Sequence, residues 1–175
     1  WAGFDRSALI AAHDTVSLNG GDIEELCRLD SIVESQTLAS EMRDGSRRSG
    51  SALLRVHEKL GTPGASAYYS EARNSKARGH LSVMQGFLWA RCGVDKFDSQ
   101  VIAAHALCVG LLGAALRLGA IGHVDSQRIL AALRDPIDEI LNEEAPVLDR
   151  AHAFAPYSEI AVMRHEIADS RLFAN

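Results

Sequence analysis

The chain has 175 residues, of which 47% are hydrophobic and 23% charged, enough for one domain with its own core. Its net charge of -5 excludes a general nucleic-acid binder, which needs a basic surface to displace phosphate counterions. Aromatics make up only 6%, and Ala, Leu and Gly carry much of the apolar content, which favours closely packed helices over a β-sandwich.

In chain order, Phe4 to Val16 reads as a short helix, closed by the turn residues Leu18, Asn19, Gly20 and Gly21. Asp22 suits an N-cap for a long helix in which Ile23, Leu26, Leu29, Ile32 and Val33 recur at three- and four-residue spacing. That pattern continues through Leu38 and Met42, falters at Asp44-Gly45 and resumes with Ala52, Leu53, Leu54 and Val56. Gly61-Thr62-Pro63-Gly64 predicts a turn, followed by a weaker helix over Ala65 to Ala77. The apolar stretch Leu81 to Cys92 predicts another helix, with Gly93 as its stop. Asp95 and Asp98 offer caps for a helix running to Leu118, and Asp125 or Ser126 caps one running towards Ala145. Pro136 is expected to kink or divide that last one, because it has no N–H to donate. A final helix opens near Ser158 and ends near Phe173. The expectation is therefore an all-α, single-domain irregular helical bundle.

Val101 to Leu116 is nearly continuous apolar sequence, shorter than the roughly 20 residues a membrane span needs and interrupted by His105. It predicts a buried central helix and no membrane partner. Gly45 to Ala52 faintly resembles a phosphate-binding loop, but the Lys that neutralises the outer phosphates is missing and a helix precedes it. Arg43, Arg47 and Arg48, with Arg28 upstream, form a basic stripe that reads either as a solvated face or as a docking patch for an acidic protein. His105 and Cys108 share a helix face and could hold a soft metal, although two donors fall short of the usual three or four, and core packing is the simpler reading. Cys27, Cys92 and Cys108 are scattered with no CxxC pair, so neither a disulfide framework nor a thiolate zinc site is expected, and a reducing cytoplasm fits. There is no nucleophile elbow, and His165-Glu166 lacks the second His of a zincin, so no enzyme activity is expected.

The C-terminal stretch carries the most information. His165-Glu166 leading into Ser170-Arg171-Leu172-Phe173, with Phe154-Ala155-Pro156 before it, resembles the terminal signature of the urease accessory protein UreF family. Looser likenesses lie upstream in the family's order: Glu41-Met42-Arg43 with Ser49-Gly50, Gly79-His80-Leu81 with Gln85-Gly86, and Leu116-Arg117-Leu118-Gly119 with Ser126-Gln127. The front departs from the pattern. The family's opening Pro-x-Gly segment and aromatic-Ser-x-Gly-Leu-Glu motif are missing, so residues 1–175 are expected to be a UreF-like domain truncated at its N-terminus, with part of the surface for UreD in question.

The resemblance implies a helical, dimeric, cofactor-free adaptor. It would bind UreD (also called UreH), recruit the GTPase UreG and assemble on apo-urease to support nickel insertion. It further implies a partner-docking tail of Arg164, His165, Glu166, Ser170, Arg171, Leu172 and Phe173, with Leu172 and Phe173 as apolar anchors and Arg171 as a charge-assisted fork. Arg43, Arg47 and Arg117 are second candidates for contact with UreG or across the dimer, and His80 and His123 are either nickel-route donors or ordinary helix-start histidines. The alternative readings are a generic helical protein-interaction domain unrelated to urease, and a metal-dependent enzyme built on His105 and Cys108.

Overall fold

The computed structural model describes residues 1–153 and 155–166. Among them all regular structure is helical: α1 (Asp5–Asn19), α2 (Ile23–Gln36), α3 (Ser40–Lys59), α4 (Ala65–Arg73), α5 (Leu81–Arg91), α6 (Lys96–Arg117), α7 (His123–Ala132), α8 (Arg134–Asn142), a 3-10 turn (Leu148–Arg150) and α9 (Pro156–Glu166).

The fold is organised around α5. Every residue from Ser82 to Leu88 is buried, as expected of a helix with no polar face. Helix α1 lies along it at backbone contact, because Gly86 has no side chain: a Cβ there would collide with the Leu9 carbonyl oxygen and press on Ala12. Helix α3 approaches the start of α5 in the same way, Gly50 sitting against the backbone of Gly79 to Leu81. Leu26, Leu29 and Val33 of α2, Leu54 of α3, and Ala65 and Tyr68 of α4 complete the core around Val83, Met84, Phe87 and Leu88. The Tyr68 and Phe87 rings meet at 5.9 Å, tilted by 34°.

Helices α6, α7 and α8 form an arm on this core. Only the beginning of α6 is buried, through Ser99, Gln100, Ala103 and Ala104. Arg6 of α1 reaches across to hold the end of α8. Its guanidinium donates to the carbonyls of Ile140 (2.7 Å), Leu141 (3.2 Å) and Glu143 (2.8 Å), and its Nε to Gln100 Oε1 (2.7 Å). The acceptors on α8 are the orphan carbonyls of a helix C-terminus, which favour a cation. Burial pulls the Arg6 guanidinium below its ordinary value, and the nearby Glu143 works against that.

Several expected boundaries hold. Asp22 Oδ1 accepts from the Glu24 amide at 3.0 Å, and Asp95 Oδ1 from the Asp98 amide at 2.8 Å. Others move. The break expected at Asp44-Gly45 falls instead at Thr37-Leu38-Ala39, and α3 runs straight through Gly45. Thr37 Oγ1 donates back to the Val33 carbonyl at 2.9 Å, and Arg43 collects the carbonyls of Thr37 and Leu38 at 2.6 and 2.7 Å. These bonds satisfy the end of α2 from the start of α3. Helix α7 starts at His123 with Gly122 as its N-cap, ahead of Asp125 and Ser126. The division associated with Pro136 comes at Leu133, placing the proline in the first turn of α8, where its missing N–H costs nothing.

The largest correction concerns α6. It was expected to be buried, yet only 22% of its most apolar 18-residue window is, at a mean hydropathy of 1.7. Among the described residues it is the one helix long and apolar enough, by length and composition, to cross a membrane. Its uninterrupted apolar run remains shorter than a span, and α7 and α8 pack on it.

Gly86→Ala is expected to lower stability by about 2–3 kcal/mol, because the new methyl meets backbone rather than a yielding side chain. Gly110→Ala on α6, with open space around it, is expected to gain about 0.5–1 kcal/mol. Urea-unfolding midpoints of the two variants check both signs.

Candidate partner-docking surfaces

The core holds a polar cluster where α2, α3 and α5 meet. Asp30 is fully buried, and its carboxylate accepts from consecutive backbone amides: Arg78 and Gly79 (3.0 Å) on Oδ2, and His80 (2.8 Å) on Oδ1. Ser46 of α3 accepts from the Leu81 amide at 3.1 Å and lies 3.1 Å from His80 Nδ1. Together these groups satisfy the start of α5, which has no cap of its own. His80 Nε2 sits 2.8 Å from Glu34 Oε2, so with the Ser46 hydroxyl donating to Nδ1, the pattern assigns the ring proton to Nε2. Glu34 also takes a two-pronged contact from Arg47 and has Arg43 at 3.8 Å. Burial pushes the Glu34 carboxyl up, but the hydrogen bonds from Arg47 and His80 outweigh it and hold it below its ordinary value.

This cluster reassigns the arginines. Arg43 is spent on the α2–α3 junction, and Arg47 on Glu34 and on Asp44 at 3.1 Å. Both are half-exposed, so each combines a partner inside the fold with a face towards solvent. Arg28 pairs with Glu25 at 2.8 Å and approaches Asp149 at 3.7 Å. Arg117 is exposed in the last turn of α6. His80 is sealed in the core and His123 is exposed at the start of α7, so the two share no site. His105 is exposed and Cys108 half-buried, contrary to the core reading, and no group of three or more His, Cys, Asp or Glu side chains able to hold a metal occurs among the described residues.

Asp30, Glu34, Ser46 and Arg6 belong to no motif of the sequence. The first had a readable signal: Asp30 interrupts the apolar face formed by Leu26, Leu29 and Val33, and a charge on a buried face needs partners. Arg6 likewise stands between Phe4 and Ala8-Leu9 on the buried side of α1.

The exposed apolar side chains of α6 stand apart from this internal pairing. Phe97, Ile102, Leu107, Val109, Leu111 and Leu118 are each more than two-fifths exposed. A groove of about 460 Å³ runs beside the helix, with Leu107, Gly110 and Leu111 facing Gly45, Ser46 and Gln85. A second, of about 480 Å³, lies between α6 and the α7–α8 pair and includes His105, Arg134 and Asp138. Apolar area left in water in this way is free to be covered by further contacts.

Of the expected tail, Arg164, His165 and Glu166 stand in the last turn of α9, with Arg164 exposed. Ser170, Arg171, Leu172 and Phe173 lie outside the described residues, as does Phe154.

The described residues thus form an all-helical domain whose longest helix leaves much of its apolar surface exposed. Comparison with known proteins gives the lineage: the UreF family model matches residues 1–134, and the chain belongs to the UreF family. It is 30% identical to a urease accessory protein UreF of Trichodesmium erythraeum (strain IMS101), over 98% of this chain and 74% of that protein. It is also similar to the urease accessory proteins UreF of Actinobacillus pleuropneumoniae serotype 5b (strain L20) and Yersinia enterocolitica serotype O:8 / biotype 1B (strain NCTC 13174 / 8081). Identities are 26% and 27%, over 99% of this chain and 76% of each relative. The family resemblance read from the tail is thereby borne out over most of the chain.

Glu34→Gln is expected to cost about 2 kcal/mol at neutral pH, since it leaves Arg47 and His80 without their anionic acceptor. A carboxyl held low in the folded state contributes above its unfolded value, 4.5, and loses that contribution as pH falls through the folded one. The gap between wild type and variant should therefore close as pH falls below 4.5 in denaturant titrations. A gap that persisted unchanged at pH 3 would count against this role.

Proposed function

We propose that this chain is a non-catalytic adaptor of urease maturation, which assembles with UreD (UreH) and the GTPase UreG on apo-urease and supports nickel insertion. It acts in the cytoplasm as a homodimer and holds no resident cofactor. The observation that carries the reading is the exposed apolar surface of α6, on a domain that belongs to the UreF family. Residues that could have carried chemistry are tied into the fold: His80 to Glu34 and Ser46, Asp30 to backbone amides, Arg47 to Glu34. An exposed run of Leu, Ile and Val on one helix supplies desolvation energy when a partner covers it. The tail from Arg164 to Phe173 adds a second contact, Leu172 and Phe173 filling apolar pockets and Arg171 a carboxylate site.

Mixed with UreD and UreG, the chain is expected to co-elute as one complex in size-exclusion chromatography with light scattering. Separate elution of all three would overturn the reading. Arg171→Ala with Phe173→Ala should leave helical content unchanged by circular dichroism and weaken the complex at least about tenfold, as loss of interface anchors does. Undiminished assembly of that variant would remove the tail from the contact.

A further inference from the structure

Arg43 and Arg47 are half-exposed and paired within the fold, whereas other cations of α3 face outward. On α3, Arg48, Arg55 and Lys59 are all exposed, and none of them pairs with a carboxylate among the described residues. Their spacing of seven and four residues places them within a narrow arc of the helix, along a line of about 16 Å. Beside them runs a second line at four-residue spacing, Ala52, Val56 and Leu60, also exposed; Val56 is 53% and Leu60 72% accessible. The opposite side of the same helix is anchored by Gly50 and Leu54 in the core and by Ser46 and Arg47 in the Glu34 cluster, so the outer face is held in a fixed orientation.

We propose that this face of α3 is a docking site for an acidic amphipathic helix of a partner protein. The apolar line Ala52–Val56–Leu60 takes leucine-like side chains that recur at four-residue spacing, and the neighbouring line Arg48–Arg55–Lys59 takes the flanking carboxylates. The small side chain of Ala52 and the open space over Gly45 let a second helix approach closely. A helical protein segment suits this geometry better than an extended polyanion. A membrane or a nucleic acid meets the field of the whole molecule, which is negative at -5, whereas a single helix within a Debye length of about 8 Å meets mainly this stripe. No aromatic side chain lies on the stripe to stack a base. The proposal deepens the adaptor reading and rests on it only for the partner being a protein.

The test uses a fluorescein-labelled helical peptide with Leu at every fourth position flanked by Glu, a control peptide with Gln in place of Glu, and vesicles containing phosphatidylserine. The expected result is saturable binding of the Glu peptide, weakened by added salt, with amide shift changes concentrated at residues 48–60. Arg48→Glu, Arg55→Glu and Lys59→Glu together should weaken it at least about tenfold with an unchanged circular dichroism spectrum. Val56→Ser with Leu60→Ser should weaken it without altering the salt dependence. Absence of saturable binding, equal binding of the Gln peptide, undiminished binding by the charge-reversed protein, or a preference for the vesicles would overturn the proposal. Since the peptide assay needs neither UreD nor UreG, its failure is separable from a failure of the adaptor complex to form.

Discussion

The Asp30 carboxylate is the constraint on which the rest of the molecule depends. It is fully buried, and a polar group in such a place is tolerated only with hydrogen-bond partners. The amides of Arg78, Gly79 and His80 engage it, and in doing so they fix where α5 begins and how α2 lies against it. Since α1 and α3 both pack on α5 at glycine contacts, the position of that one helix start propagates to three neighbours. Gly79 is needed in this arrangement because its φ of 74° turns the chain so that successive N–H groups point at one acceptor.

Around Asp30 the charges are used in a graded way. Glu34, next along the same helix face, is partly open and gathers Arg47 and His80, with Arg43 further off. Arg48, one residue beyond Arg47, is turned about 100° around the helix and meets solvent. A basic run in the sequence is thus divided by helical geometry into members that stabilise the fold and a member that faces outward. The same division explains why a domain with a negative overall charge can still present a positive stripe.

Much of the architecture was legible. Periodicity of Leu26, Leu29 and Val33, the Asp22 and Asp95 caps and the Gly61 to Gly64 turn all appear in the structure where local rules put them. The failures were tertiary in origin. The α2–α3 break is set by Arg43 reaching back to carbonyls, which no local propensity signals, and Gly45 is carried within a helix held by its neighbours. Helix α6 misled because apolar composition reports what a helix avoids, namely water, and not whether its cover comes from its own chain. The docking candidates were the least legible part. Arg43 and Arg47 have the same composition and spacing as solvent-facing arginines, and only the location of Glu34 separates the two cases.

Arg6 gives the arm a different kind of attachment from the one at Glu34. Its acceptors are backbone carbonyls and the Gln100 amide oxygen, none of which titrates. Acid that protonates Glu34 therefore leaves the α1–α8 latch intact. Acidification therefore acts on the α2–α3–α5 junction through Glu34, while the hydrogen-bond acceptors that fasten α8 to α1 carry no proton to gain.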